Sequence, residues 1–324
     1  MTYEELLLQI AGADERVVVL TAENRAAIRN LPSQLDGRFM DVGIAEMTMI
    51  GAAAGLALRG RIPVVHALAT FLTLRAFEFI RTDVGIAGLP VKLIGAVPGF
   101  LSDGNGPTHQ AIEDISLMRG IPGMQVFAPA DVDELLAGLP DIIASPRPWY
   151  VRFNGLPSVT AHHEPFAIGR AEVHGDGNEV AILTYGFMFR ETHTALQLLQ
   201  AEGLQCRLVN LRTVKPLDET AVLRAVRECG LIVTVEDHFR TGGLYSILAE
   251  LLLERQLTAR VLPIALEDRW FRPATLPRVL EFEECTGRDI AARILVECER
   301  GRHAAMAGHT ETAAHAEAMF KTYL

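Results

Sequence analysis

Cysteine is scarce in these 324 residues. The four present, Cys206, Cys229, Cys285 and Cys298, all fall in the second half and form no CxxC pair, which argues against a disulfide scaffold or a cysteine-based zinc site. Long apolar runs are missing as well. No stretch reaches the roughly 18 to 20 residues a spanning helix needs, and no charged-then-apolar leader opens the chain, so a soluble, cytoplasmic protein without a membrane partner is expected. Positive charge is in deficit, with 30 Lys and Arg against 40 Asp and Glu and a formal net charge of −10. A chain of that sign is repelled by a phosphate backbone, and no nucleic-acid partner is expected.

What is present is aliphatic bulk in short runs. Hydrophobic residues make up 49% of the chain, and the length suggests two domains. Thr2 with Glu5 three residues on is a capping-box signature for a first helix through Ile10. Strand-length apolar runs at Val17–Leu20, Ile62–Val65, Val91–Val97, Gln125–Phe127 and Trp149–Arg152 alternate with helical segments at Ala76–Ile86, Ile112–Arg119 and Asp131–Leu139. After a stretch rich in Pro, His and Gly, the alternation restarts with strands at Val180–Tyr185, Cys206–Val209, Leu231–Glu236 and Arg260–Ile264. Continuous apolar strands separated by helices specify mostly parallel sheets covered on both faces. The expected class is α/β with two doubly wound domains: 1–155, a linker over 156–178, 179–300, and a tail over 301–324. The tail carries His303, His309 and His315, with no cysteine beside them, and is not expected to complete a metal set. No metal ligand is expected in the chain.

One stretch stands out chemically, RFMDVGIAE at 38–46 followed by MTMIGAAAGLALRG. Glu46 falls at a helix start among Ile44, Ala45, Met47 and Met49, an apolar shell that disfavours the ionised carboxyl and suits a hydrogen-bond donor. A buried structural ion pair explains the same residue equally well. Gly43, Gly51 and Gly55, interleaved with alanines, leave a helix face with little side-chain bulk that another chain or a flat cofactor can approach closely.

Read with ATF at 69–71 and DGNGPTHQ at 103–110, that stretch resembles the pyrimidine-binding half of the transketolase family of thiamine diphosphate enzymes, and in places 1-deoxyxylulose-5-phosphate synthase. The resemblance runs over roughly residues 10–300, with LRTVKPLDE at 211–219 and TVEDHFRTGGLYS at 234–246 in the part similar to the carboxyl-terminal domain. It implies that Glu46 shares a proton with the cofactor's aminopyrimidine and that Ile44 lies beside the same ring. Phe71 or Phe77 stacks on it, since Leu74 stands where many transketolases have a second aromatic. It implies that His109 bonds substrate oxygens and relays protons. A helix-capping histidine and a core phenylalanine are the plain alternatives at 109 and 71. His238 is placed by the resemblance at the border of the cofactor cleft, with simple packing as the alternative.

Three departures matter. Asn105 stands where the family has an aspartate that contacts a substrate hydroxyl, and Val97 stands where transketolases carry a phosphate-binding histidine. Arg152 in WYVRFNG matches the family arginine after the last strand and is the expected ligand for an anionic substrate end. The third departure is the diphosphate- and Mg²⁺-binding motif: the one Gly-Asp-Gly, at 175–177, precedes a strand and reads as a turn. Two cofactors, thiamine diphosphate and Mg²⁺, are therefore expected, with the diphosphate end and the Mg²⁺ held mainly by a separate amino-terminal subunit, most simply in a heterotetramer. The implied reaction moves a two-carbon ketol unit from an anionic or phosphorylated ketose to an aldehyde. The rivals are a decarboxylating synthase or 2-oxo-acid dehydrogenase beta-type subunit, and a silent scaffold subunit.

Overall fold

The computed structural model describes residues 1–302, with the side chain of Asp103 left aside. The tail histidines His303, His309 and His315 lie outside the described residues. The chain opens on α1 (Tyr3–Ala13), and the capping box is formed: the Thr2 hydroxyl accepts from Glu5 N and the Glu5 carboxylate from Thr2 N. The first layer continues through β1 (Val17–Thr21), β2 (Phe39–Asp41), α2 (Glu46–Leu58), β3 (Ile62–Leu68), α3 (Phe77–Phe79), β4 (Lys92–Ala96), α4 (Asp114–Arg119), β5 (Gln125–Phe127), α5 (Val132–Ala144) and β6 (Trp149–Phe153). The second contains β7 (Glu172–His174), β8 (Val180–Thr184), α6 (Met188–Ala201), β9 (Cys206–Asn210), β10 (Thr213–Lys215), α7 (Glu219–Glu228), β11 (Leu231–Phe239), α8 (Leu244–Glu254), β12 (Val261–Leu266) and α9 (Leu276–Phe282).

Seven strands in the order β10-β5-β6-β4-β3-β1-β2 form one sheet and five in the order β12-β11-β8-β9-β7 the other. Among the described residues all pairs are parallel except β10 on β5 and β7 on β9. The expected doubly wound α/β class holds, and the apolar runs are the central strands: β1, β8 and β9 are buried at every position. Pieces without an apolar run escape the sequence reading. The last residues of the expected linker, 156–178, form β7, whose Glu172 and His174 are buried polar side chains. β10 returns from the second half of the chain to close the edge of the first sheet. The segment read as a helix from Ala76 is broken, with π-helical turns over Phe71–Arg75 and Ile80–Gly85 on either side of α3.

The linker is fastened by one histidine. His162 Nδ1 lies 2.7 Å from Glu172 and Nε2 3.0 Å from Asp131, the N-cap of α5. Arg212 completes the knot, 2.8 Å from Glu134 and 3.3 Å from Glu172. Glu134, His162 and Glu172 are the one group among the described residues with metal-ligand spacing, and the Arg212 guanidinium already fills the cation's place between the two carboxylates. Asp131 and Glu172 raise the His162 imidazole to about 10. Although burial opposes the charge on Glu172, the hydrogen bonds from His162 and His174 hold it well below the usual carboxylate range.

A histidine whose folded pKa exceeds its unfolded one stabilises fully below about 6.5 and loses that contribution as the pH rises through about 10. His162→Gln is expected to cost roughly 1–3 kcal/mol at pH 6–7, with the gap to wild type closing towards pH 10. Denaturant melts across that range measure it, and a gap independent of pH would refute the charged clamp.

Candidate active site

The carboxyl edge of the first sheet is where an open α/β fold presents ligands, and Glu46 lies on that edge at the first residue of α2. It is 2% exposed. Gly43, at φ +70°, makes the turn into the helix, and its N–H donates to Asp41 Oδ1 at 2.9 Å. Asp41 in turn accepts from Arg25 Nε at 2.6 Å. A cavity of about 350 Å³ opens here, lined among others by Asn24, Arg25, Ile44, Glu46, Leu68 and Phe71.

The shell around Glu46 differs from the expected one. Arg75 Nη1 donates to Glu46 Oε2 at 2.8 Å, so a guanidinium and not an apolar side chain stands at the carboxyl. Ile44 and Met47 are turned to solvent, 72% and 42% exposed. Arg75 also lies with its Cζ 4.2 Å from the centre of the Phe71 ring, and Phe71 meets His109 edge to face at 5.1 Å. Glu46, Arg75, Phe71 and His109 thus form one connected chain of contacts. The π-helical turn at Phe71–Arg75 carries both residues, Phe71 lining the cavity and Arg75 bonded to Glu46, and such turns recur at functional sites.

The sequence-expected residues fall into two groups. Ile44, Glu46 and Phe71 line the cavity, and His109 adjoins it through Phe71. Phe77 instead packs, half-buried, against the main core cluster, so that of the two rings Phe71 is the one that lines the cavity. Asn105 is exposed on the glycine-rich loop, its carbonyl facing the Thr108 hydroxyl at 3.4 Å. Thr108 lies 2.9 Å from His109 Nδ1, and His109 is half-buried with its backbone N–H on Gly106 O.

Arg152 and His238 are corrected by the structure. Arg152, expected to hold a substrate anion, is 2% exposed and fully engaged: Nε donates to Asp114 at 2.8 Å, and Nη1 and Nη2 donate to Asp237 at 2.7 and 3.2 Å. A buried guanidinium whose charge is shared by two carboxylates, outside the lining of the cavity, is not placed to hold a phosphate there. His238 does not face the cavity either. Its Nε2 accepts from Ser116 N at 3.3 Å and its Nδ1 donates to Phe239 O at 2.6 Å, and burial pushes its imidazole down to about 4. Both residues join the two sheets. The backbone is strained beside them: Val97, a β-branched residue, has φ +47°, and a Cβ on Gly99 would come within 1.6 Å of Asp237 Oδ2.

What the sequence reading missed is Arg75. The signal was present, since a cation four residues after Phe71 would share its face of a helix, but a π-helical turn cannot be read from spacing.

The cavity fits a flat, uncharged heterocycle better than a diphosphate. It offers a buried carboxylate, an aromatic and aliphatic walls, and the one cation lining it among the described residues, Arg25, is already paired with Asp41.

Residues 1–155 match the transketolase pyrimidine binding domain and residues 169–290 the transketolase C-terminal domain. The chain is 41% identical over 257 residues to a 6-deoxy-6-sulfo-D-fructose transketolase subunit of Clostridium sp. (strain MSTE9), covering 78% of this chain and 80% of the relative. It is 30% identical to an apulose-4-phosphate transketolase subunit of Phocaeicola vulgatus, over 82% of this chain and 87% of that one. With 1-deoxy-D-xylulose-5-phosphate synthase of Dictyoglomus thermophilum the identity is 34%, over 91% of this chain and about half (49%) of the relative. Among solved structures, a split gene transketolase described as an inactive beta4 tetramer superposes with a TM-score of 0.81 at 34% identity, over 90% of this chain and 94% of that one.

Arg152→Met is expected to cost about 3–5 kcal/mol, because Asp114 and Asp237 are left buried and unpaired. Chemical denaturation measures it. An unchanged stability accompanied by a raised substrate KM would restore the anion-clamp reading.

Proposed function

The chain belongs to the transketolase family, and from that premise we propose that it is the pyrimidine-binding subunit of a split, thiamine diphosphate-dependent transketolase acting on an anionic ketose. The observation that carries this is the cavity in which a buried Glu46 carboxylate, the Phe71 ring and the adjoining His109 converge. Thiamine diphosphate supplies a carbanion carrier, a carbon that adds to a carbonyl and holds the electrons of the bond broken beyond it. With that group bound, Glu46 would hold a proton towards the ring nitrogen of the aminopyrimidine, Phe71 and Ile44 would shield that ring from water, and His109 would move a proton to or from the substrate oxygens. Asn105, exposed on the same loop, offers an amide to a substrate hydroxyl without adding charge.

Diphosphate and Mg²⁺ are assigned to a partner, an amino-terminal subunit, because the one His, Cys, Asp or Glu group with metal-ligand spacing among the described residues, Glu134, His162 and Glu172, does not line the cavity. Two relatives, moreover, carry the name of a transketolase subunit and match over 80% and 87% of their length. The simplest assembly is a heterotetramer. Gly51 and Gly55 leave room for close approach, with no atom nearer than 4.0 Å to a Cβ built on either. The anionic character of the substrate rests on the sulfo and phosphate groups in the relatives' names. With Arg152 buried, that anion is held by other groups of the assembled site.

Glu46→Ala and His109→Ala are each expected to lower ketol transfer by about 10²–10⁴-fold in the two-subunit enzyme while leaving the melting curve of this chain intact. A panel of phosphorylated, sulfonated and neutral ketoses, with pyruvate as the test of a decarboxylating synthase, reads both rate and substrate class. Glu46→Ala retaining more than about a tenth of the activity, or CO₂ release from pyruvate exceeding transfer, would overturn the reading.

A further inference from the structure

Arg75 is not among the residues that line the cavity, but it bonds the carboxyl of Glu46, which is. Glu46 is almost fully buried, and a buried carboxylate with no counterpart is costly. Its Oε2 takes the Arg75 Nη1 hydrogen bond at 2.8 Å. The guanidinium itself is not deeply held: the Arg75 side chain is 40% exposed, and it also rests on the Phe71 ring face, 4.2 Å from Cζ. A pairing that is buried on the acid side and open on the base side can be exchanged, because the cation returns to water at little expense while the acid must find another donor. An arginine stacked in this way also takes up one face of the Phe71 ring.

We propose that Arg75 is a placeholder for the aminopyrimidine: before the cofactor binds it satisfies Glu46 and covers Phe71, and cofactor binding displaces it from both. This rests on the cofactor reading above and adds a positioning residue to it. The exchange has three parts. A hydrogen bond from Arg75 to Glu46 is broken, one between Glu46 and the ring nitrogen is made, and the guanidinium swings to solvent over the rim left by the exposed Leu74 and Ile44. Arg75 therefore lowers the affinity for the pyrimidine ring while keeping the cofactor-free site from carrying an unpaired buried charge. Unlike Arg152, which is locked between two acids, it is able to move.

The test needs this chain alone and a fragment without phosphate, 4-amino-2-methylpyrimidine, titrated by NMR into wild type, Arg75→Gln and Arg75→Lys, each first shown to be folded by its melting curve. Arg75→Gln is expected to bind the fragment about fivefold tighter or more, Arg75→Lys to stay within about twofold of wild type, and the advantage of Arg75→Gln to vanish in a Glu46→Gln background, since the two residues act on one another. A purely structural Arg75 would not produce that dependence on Glu46. Equal or weaker binding by Arg75→Gln overturns the exchange and leaves the cofactor reading standing. Absence of binding by all three proteins overturns both.

Discussion

Everything at the carboxyl edge of the two sheets depends on one guanidinium. Arg152 projects from the end of β6 and is shared by Asp114 at the start of α4 and Asp237 in β11, with the Tyr150 hydroxyl also on Asp114 at 2.6 Å. Two buried acids and one buried base are a costly arrangement unless every hydrogen bond is made, and here they are made across the seam between the layers. Gly99 is glycine because any side chain would collide with Asp237. The strained turn at Val97 and Gly99 then fixes where the glycine-rich loop starts, and that loop carries Asn105 and His109. The family position that looked like a substrate ligand is thus part of the frame from which that loop extends.

The second fastening, His162 between Asp131 and Glu172, holds the linker and the opposite flank of the seam. Together with β10, which leaves the second half of the chain to pair with β5, it makes the two layers one unit. A cleft built on such a frame can be open to a partner chain without collapsing. That suits an edge on which Ile44, Met47 and Leu74 remain exposed.

Much of this was legible in the sequence. The central strands were, because parallel strands buried on both faces are written as unbroken apolar runs, as in Val17–Leu20 and Val180–Thr184. Glu46, Ile44, Phe71 and His109 were named together from motif order; the first three line one cavity and His109 touches Phe71 beside it, and their roles are the proposal made above. What stayed hidden has physical reasons. β7 and β10 are short and pair through polar or edge residues, so no period marks them. Phe71 and Phe77 look alike in sequence, and only the break into π-helical turns separates the cavity ring from the core ring. Arg152 carries the same letter whether it faces a phosphate or two aspartates, and its partners lie 38 and 85 residues away. The apolar shell inferred for Glu46 contained an arginine for the same reason.

The central claim is that this chain supplies the pyrimidine half of a cofactor site whose diphosphate half belongs to another subunit. Calorimetric titration of thiamine diphosphate with Mg²⁺ addresses it directly, into this chain alone and into its mixture with the amino-terminal subunit. The account predicts at most weak heat from the chain alone and saturable, Mg²⁺-dependent binding once both subunits are present. Tight Mg²⁺-dependent binding to this chain without a partner would contradict it.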